Sequence, residues 1–168
     1  ILDGYSKIKK DTVLTIGNFD GIHKGHQKII KQVVNISNKN NLKSALITFK
    51  PHPNAFFKKN IKPFKLTNDN TKICEIKKLG IDYLIFIKFN KNLNKLSPEN
   101  FVKKIVNNFK PKFIVVGYNF YFGFKREGNT ELLKKLSKKY LFTLKVIKPV
   151  VGKNNKIFNS TFIIKKIA

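Results

Sequence analysis

Thr12-Val13-Leu14-Thr15-Ile16-Gly17-Asn18-Phe19-Asp20-Gly21-Ile22-His23-Lys24-Gly25-His26 is a β-branched apolar run that gives way to three glycines and two histidines. An amphipathic pattern follows, from His26 to about Asn38, so the stretch reads as strand, turn and helix of an α/β unit. Turns of this kind bind phosphate, because free backbone N–H groups at a helix N-terminus attract anions and glycine lets the backbone come close. Gly17, Gly21 and Gly25 are the glycines in question. His23 and His26 lie three residues apart and converge on one anionic group if the first closes the loop and the second opens the helix.

The spacing excludes some rival chemistries. A zinc protease helix carries His at i and i+4 with a Glu between, whereas Lys24 and Gly25 separate this pair. A Walker loop needs Gly-Lys followed by Ser or Thr after a longer glycine-rich run, which does not occur. Two ordinary histidines at a turn remain the plain alternative. The third histidine, His52, lies between Pro51 and Pro53, where a rigid turn is the corresponding alternative.

Short apolar runs at Thr12 to Ile16, Ser44 to Phe49, Tyr83 to Ile87, Phe113 to Val116 and Thr143 to Ile147 read as strands buried on both faces of a parallel sheet. Helices are expected after Gly25, over about Thr71 to Leu79 with Gly80 as the stop, after a Ser97 cap with Pro98 at the first helical position, and from about Thr130 to Tyr140. The βαβαβ order implies a right-handed, Rossmann-like α/β sheet. Pro51 to Asn70 reads as a loop or flap over a site, or as a surface excursion. Ligands of open α/β sheets sit beyond the carboxyl ends of the strands, where the unusual segments fall.

Gly17 to Gln27 resembles the Gly-Asn-Phe-Asp-Gly-x-His-x-Gly-His-Gln string of the FMN adenylyltransferase domain in the bacterial bifunctional riboflavin kinase/FMN adenylyltransferase family, within the His-x-Gly-His nucleotidyltransferases. Thr48-Phe49-Lys50-Pro51-His52-Pro53, Val116-Gly117-Tyr118-Asn119-Phe120-Tyr121-Phe122-Gly123 and Asn159-Ser160-Thr161 are similar to further family segments, in the same order. The resemblance implies a Rossmann-like nucleotidyltransferase fold with a mostly parallel central sheet, and synthesis of FAD from FMN and ATP with release of pyrophosphate. It implies His23 and His26 as catalytic residues. It assigns ATP to Gly17, Phe19, His23, Gly25, His26, Ser160 and Thr161, and FMN to His52, Pro53, Asn119, Phe120 and Arg126, with Phe122 or Phe56 as other rings for the isoalloxazine. Mg²⁺ is expected to arrive with ATP, held by phosphates and water, with no protein metal site. Asp20 reads either as a ligand through water or as a residue capping its turn.

One departure stands out. The family surrounds Ser-Thr with two arginines, and here those positions are Ile157 and Ile164, with Lys156 and Lys165 beside them. A lysine does not reproduce the bidentate guanidinium fork. A flavin- or nucleotide-binding domain without useful catalysis is therefore the alternative function. The riboflavin kinase module of the family is absent from residues 1–168, which read as a single adenylyltransferase domain.

Composition sets outer bounds. A chain of 168 residues with 42% hydrophobic content is large enough for a real core. No apolar stretch is long enough to span a bilayer, and a cytoplasmic enzyme is expected. Cys74, the single cysteine, is expected as a buried, inert thiol between Ile73 and Ile76. The formal net charge of +26 raises nucleic-acid binding as a third function. Every cation except Arg126 is Lys, however, spread over nearly the whole chain, so the charge reads as a field that gathers anionic substrates rather than as a specific nucleic-acid site.

Overall fold

A computed structural model describes residues 1–57 and 69–149. The elements run β1 (Leu2–Asp3), β2 (Thr12–Ile16), α1 (Lys24–Lys39), β3 (Lys43–Lys50), α2 (Pro53–Phe57), α3 (Asp69–Lys78), β4 (Tyr83–Lys88), α4 (Lys91–Asn94), α5 (Pro98–Phe109), β5 (Pro111–Gly117), a 3-10 turn (Phe124–Arg126), α6 (Thr130–Tyr140) and β6 (Thr143–Ile147). The strands form one six-stranded sheet in the order β1-β4-β3-β2-β5-β6. Every pairing is parallel. The architecture is thus α/β and Rossmann-like, as expected.

Alternation along the strands explains the layers. In β2, Leu14 and Ile16 join Ile47, Ile85, Ile114 and Val116 from neighbouring strands, and α5 and α6 cover them with Phe101, Ile105, Phe109 and Leu133. Val13 faces the other way, against Val33 of α1 and Val115 of β5. Leu46, Leu84, Ile30 of α1 and Ile76 of α3 close the rest of that second face. Burying each such side chain contributes roughly 1.5–3 kcal/mol, and a strand covered on both sides has little reason to carry polar residues.

The Ser97 cap agrees with the sequence reading, and the structure adds a second at Asn129. Ser97 accepts from the Asn100 N–H at 3.3 Å with Pro98 following it, and Asn129 accepts from the Leu132 N–H at 2.9 Å at the head of α6. α1 begins two residues before the expected His26, because the His23 side chain itself caps it. β1, α2 and α4 are too short to show a period and were not anticipated from sequence. Within Pro51 to Asn70, Pro53–Phe57 is helical and Asp69 and Asn70 open α3. The Lys50–Pro51 peptide is cis.

Cys74 corrects an expectation: it is exposed. On α3 the buried positions are Lys72 and Ile76, one turn apart. Position 74 lies about 200° from both at 100° per residue, on the solvent side of the helix.

The strand order places the site. From β2 the chain moves outward through β3 to β4, then crosses back to lay β5 on the other flank of β2. This reversal between β2 and β5 is a topological switch point, and the crevice beyond the carboxyl ends of those strands is where an α/β sheet binds ligands. Gly17 to His23 leaves β2 there, and 118–123 leaves β5 beside it.

Candidate active site at the switch point

His23 and His26 face each other across the first turn of α1. Their rings stack with centroids 3.7 Å apart and planes inclined by 25°. His23 is the N-cap, its extended backbone (φ −68°, ψ 171°) turning the chain into the helix. Its Nδ1 accepts from the His26 N–H at 3.4 Å. That bond fixes the neutral tautomer, so Nε2 carries the proton and is the donor left for a ligand. Among the described residues, Nδ1 of His26 is buried without a hydrogen-bond partner. An orphaned ring nitrogen beside a helix N-terminus suits an incoming phosphate oxygen, which would accept from the imidazole and meet the positive end of the helix.

Both rings are neutral at physiological pH. Burial is the largest cause for each, and for His26 the charges of His23 and Lys72 add to it, holding its pKa down at about 3. His23 is lowered as well, burial outweighing the opposite pull of Asp20. The resting pair therefore donates through neutral N–H groups, and the charge of a bound phosphate is what favours their protonation. A consequence for stability follows. Between about pH 6.5, where a free histidine titrates, and about 3, the unfolded chain holds a proton on His26 that the folded chain does not. Stability is full above that window and declines as the pH falls through it. Denaturant midpoints at pH 7.5 and 5 are expected to differ less in His26→Gln than in the wild type; equal differences would show that His26 is not held neutral.

The turn itself is built on buried anchors. Phe19, 2% exposed, lies under His26 with ring centroids 5.1 Å apart. Phe19 and Ile22 both have positive φ, 45° and 21°. Such conformations cost on the order of 1–3 kcal/mol in a non-glycine residue and persist only where packing holds them. Here both side chains are sealed into the core with Ile30, Leu46 and Ile76. Gly17 is required by proximity, since a Cβ there would stand 3.0 Å from the Phe19 ring. Phe19, named from sequence as an ATP residue, thus supports the imidazoles from below. Gly25 sits in the first turn of α1.

The neighbouring loops flank this pair. On the β3 side, Nδ1 of His52 accepts from the Asn54 N–H at 3.1 Å and its carbonyl from the Ala55 N–H at 2.8 Å, so His52 and Pro53 organise the start of α2. On the β5 side, the Tyr118 N–H donates to the Ile147 carbonyl and the Phe120 N–H to that of Gly117, which leaves the Asn119 side chain exposed at the strand end. Arg126 lies over the Tyr121 ring, 5.0 Å from its centroid. Phe120 stacks on Phe122 at 5.4 Å and is half-buried against the core. Phe122 is 6% exposed, so its reading as a flavin-stacking ring is corrected: backbone bonds in both directions to Gly128 turn it inward onto Phe101. Phe56 packs edge-on against Phe89. The exposed rings of these loops include Phe57 of α2 on the β3 side and Tyr118 and Tyr121 on the β5 side.

Ser160 and Thr161, with Ile157, Ile164, Lys156 and Lys165, lie outside the described residues. Two contributors carry no role in the sequence reading, where Thr48 stands only as part of a family-like segment and Lys72 is not singled out. Lys72, on α3, donates from Nζ to the Asn18 carbonyl at 2.9 Å, and Thr48, at the end of β3, donates to the same oxygen at 2.9 Å. The available signal was spacing, since Lys72 stands one helical turn before Ile76 on the buried face. Among the described residues no group of three or more His, Cys, Asp or Glu side chains is placed to hold a metal, and no helix is long and apolar enough to cross a membrane.

The profile of the FAD synthetase family matches residues 5–162 of this chain. The bifunctional riboflavin kinase/FMN adenylyltransferase of Buchnera aphidicola subsp. Acyrthosiphon pisum is 42% identical over 163 residues, covering 96% of this chain and 52% of that protein. Its counterpart in Escherichia coli K12 is 35% identical over 133 residues, covering 79% of this chain and 42% of that one. The chain thus spans about half the length, or less, of these relatives. The crystal structure of a macrolide-efflux protein from Streptococcus pneumoniae superposes with a TM-score of 0.84 at 23% identity, covering 99% of this chain and 56% of that one, which speaks to the fold alone. With the histidine turn at the switch point and the family profile over nearly its whole length, the chain belongs to the FAD synthetase family.

Proposed function

We propose that this chain makes FAD by transferring the adenylyl group of ATP to FMN. A phosphate oxygen of FMN forms a bond to the α-phosphorus of ATP, the bond from that phosphorus to the bridging oxygen of the β-phosphate breaks in line, and pyrophosphate leaves with the electron pair. FMN brings an ionised phosphate, so no protein base is needed to create the nucleophile. Catalysis is positioning together with stabilisation of charge on the nonbridging and leaving oxygens. The stacked His23–His26 pair at the head of α1 carries this reading. Two N–H donors held in place before the substrate arrives act where negative charge develops.

ATP enters as its Mg²⁺ complex, with the ion held by phosphates and water. ATP is assigned to Gly17, His23, Gly25 and His26, with Ser160 and Thr161, and Phe19 backs the two rings from the core. FMN is assigned to the flanking loops, through His52 and Pro53 on one side and Asn119, Phe120 and Arg126 on the other. The exposed thiol of Cys74 suits a reducing compartment, and we place the reaction in the cytoplasm.

The acceptor side is tested by binding. Asn119 presents an exposed amide at the end of β5, next to the crevice but on a different loop from the histidines. Asn119→Ala is expected to weaken FMN binding about five- to tenfold, the loss of roughly one hydrogen bond, with binding of a non-hydrolysable ATP analogue unchanged. Separate calorimetric titrations read both. A loss confined to the ATP analogue would move this loop to the nucleotide side and remove the argument for a flavin acceptor there.

A further inference from the structure

Among the described residues two charged side chains are buried, Asp20 at 8% exposed and Lys72 at 6%. Both act on the histidine turn: Asp20 pulls on His23, and Lys72 pushes on His26. Removing an ammonium from water is costly, so a lysine is retained at such a place only where strong partners receive it. Lys72 meets the Asn18 carbonyl, the oxygen that also receives the Thr48 hydroxyl, both at 2.9 Å. Thr48 is fully buried at the end of β3, whereas Lys72 reaches across from α3. The two lone pairs of one carbonyl are thereby used by two different elements. The next residue is Phe19, held at positive φ under His26.

We propose that Lys72 is a positioning residue for adenylyl transfer: with Thr48 it clamps the Asn18 carbonyl and so fixes the turn that presents His23 and His26. A carbonyl pinned by a neutral hydroxyl alone is held less firmly than one that also receives an ammonium, because charge-assisted bonds are the stronger kind. The catalytic half of the proposal rests on the function proposed above. The clamp itself does not, and it is open to measurement in the ligand-free chain.

Three variants test it. Lys72→Met removes the ammonium with little change of length, Thr48→Val removes the hydroxyl at constant shape, and Lys72→Arg keeps charge and donors. Amide exchange of residues 18–22 is expected to accelerate about tenfold or more in Lys72→Met and in Thr48→Val, with global stability accounted for separately. Turnover is expected to fall about 10- to 100-fold in both, with KM for FMN within about twofold, as for a displacement of reacting groups. Lys72→Arg recovers most of the rate. In Lys72→Met the His26 ring is expected to titrate at higher pH, since His23 and Lys72 are the charged or titratable groups acting on it among the described residues and Asp20 acts on His23. Unchanged exchange would overturn the clamp, and a normal turnover number in folded Thr48→Val would overturn its positioning role in transfer. If Lys72→Met does not fold, Thr48→Val and Lys72→Arg decide the matter. A wild-type chain that makes no FAD would refute the proposed function, while exchange of the turn would still judge the clamp.

Discussion

Replacing either His23 or His26 with alanine is expected to lower the turnover number for FAD formation by about two to three powers of ten. Loss of one preorganised donor at a site of developing charge typically costs about 2.7–4 kcal/mol of transition-state stabilisation. The stacked geometry is the reason to expect the upper part of that range. The two rings support each other at 3.7 Å, and His26 rests on Phe19, so removing one ring frees its partner as well as deleting a donor. Most of the loss should appear in the turnover number, because the rings are neutral at rest and interact most strongly when charge builds up on the phosphates. His23→Ala also removes the cap of α1, at about 1 kcal/mol, which leaves the fold intact. Single-turnover kinetics with saturating substrates check this. Near-normal turnover in either folded variant would remove the histidines from the chemistry.

Gly123→Ala carries the largest expected effect on stability. Gly123 has φ 75° and ψ −179°, a conformation that essentially only glycine adopts. Its added Cβ would stand 2.7 Å from both N and Cα of Pro98, and backbone at the first turn of α5 cannot swing aside. Backbone strain and overpacking together give about 2–4 kcal/mol, or roughly 5–15 °C in Tm for a domain of this size. Gly4→Ala is the control. Its φ is also positive, at 66°, but no described residue lies within 4 Å of the added Cβ, so only about 1 kcal/mol of conformational strain is expected. Thermal unfolding of both variants makes the comparison. Equal, small losses would mean that Gly123 does not dock on Pro98, and that the segment bearing Asn119 and Arg126 is held by something else.

Much of the fold was legible in the chain because parallel strands buried on both faces appear as unbroken apolar runs. β2 and β6 have the bounds expected from sequence, β4 runs one residue further, β3 one residue further at each end, and β5 two earlier and one later. α6 spans the expected stretch of about Thr130 to Tyr140, where Leu133 and Leu136 keep helical spacing; its Asn129 cap shows only in the structure. Pieces of two to five residues have no period to detect, which is why β1, α2 and α4 escaped. The histidine turn was legible as composition. Its conformation was not: nothing local predicts positive φ at Phe19 and Ile22, which tertiary packing imposes. Aromatic residues misled for a related reason. Phe122 looks like a ligand platform in a run of rings, and only the pairing with Gly128 turns it inward. Lys72 was hidden by its type in a chain so rich in lysine, where a buried cation has no compositional signature.

The neutral, stacked pair His23–His26 is expected to serve transfer of an adenylyl group to FMN. Incubating the chain with FMN, ATP and Mg²⁺, while following FAD and pyrophosphate together, tests it most directly. The wild-type chain is expected to form the two products in equal amounts, and His26→Ala to form almost none. Binding of both substrates without FAD, or FAD formation indifferent to His26, would contradict it.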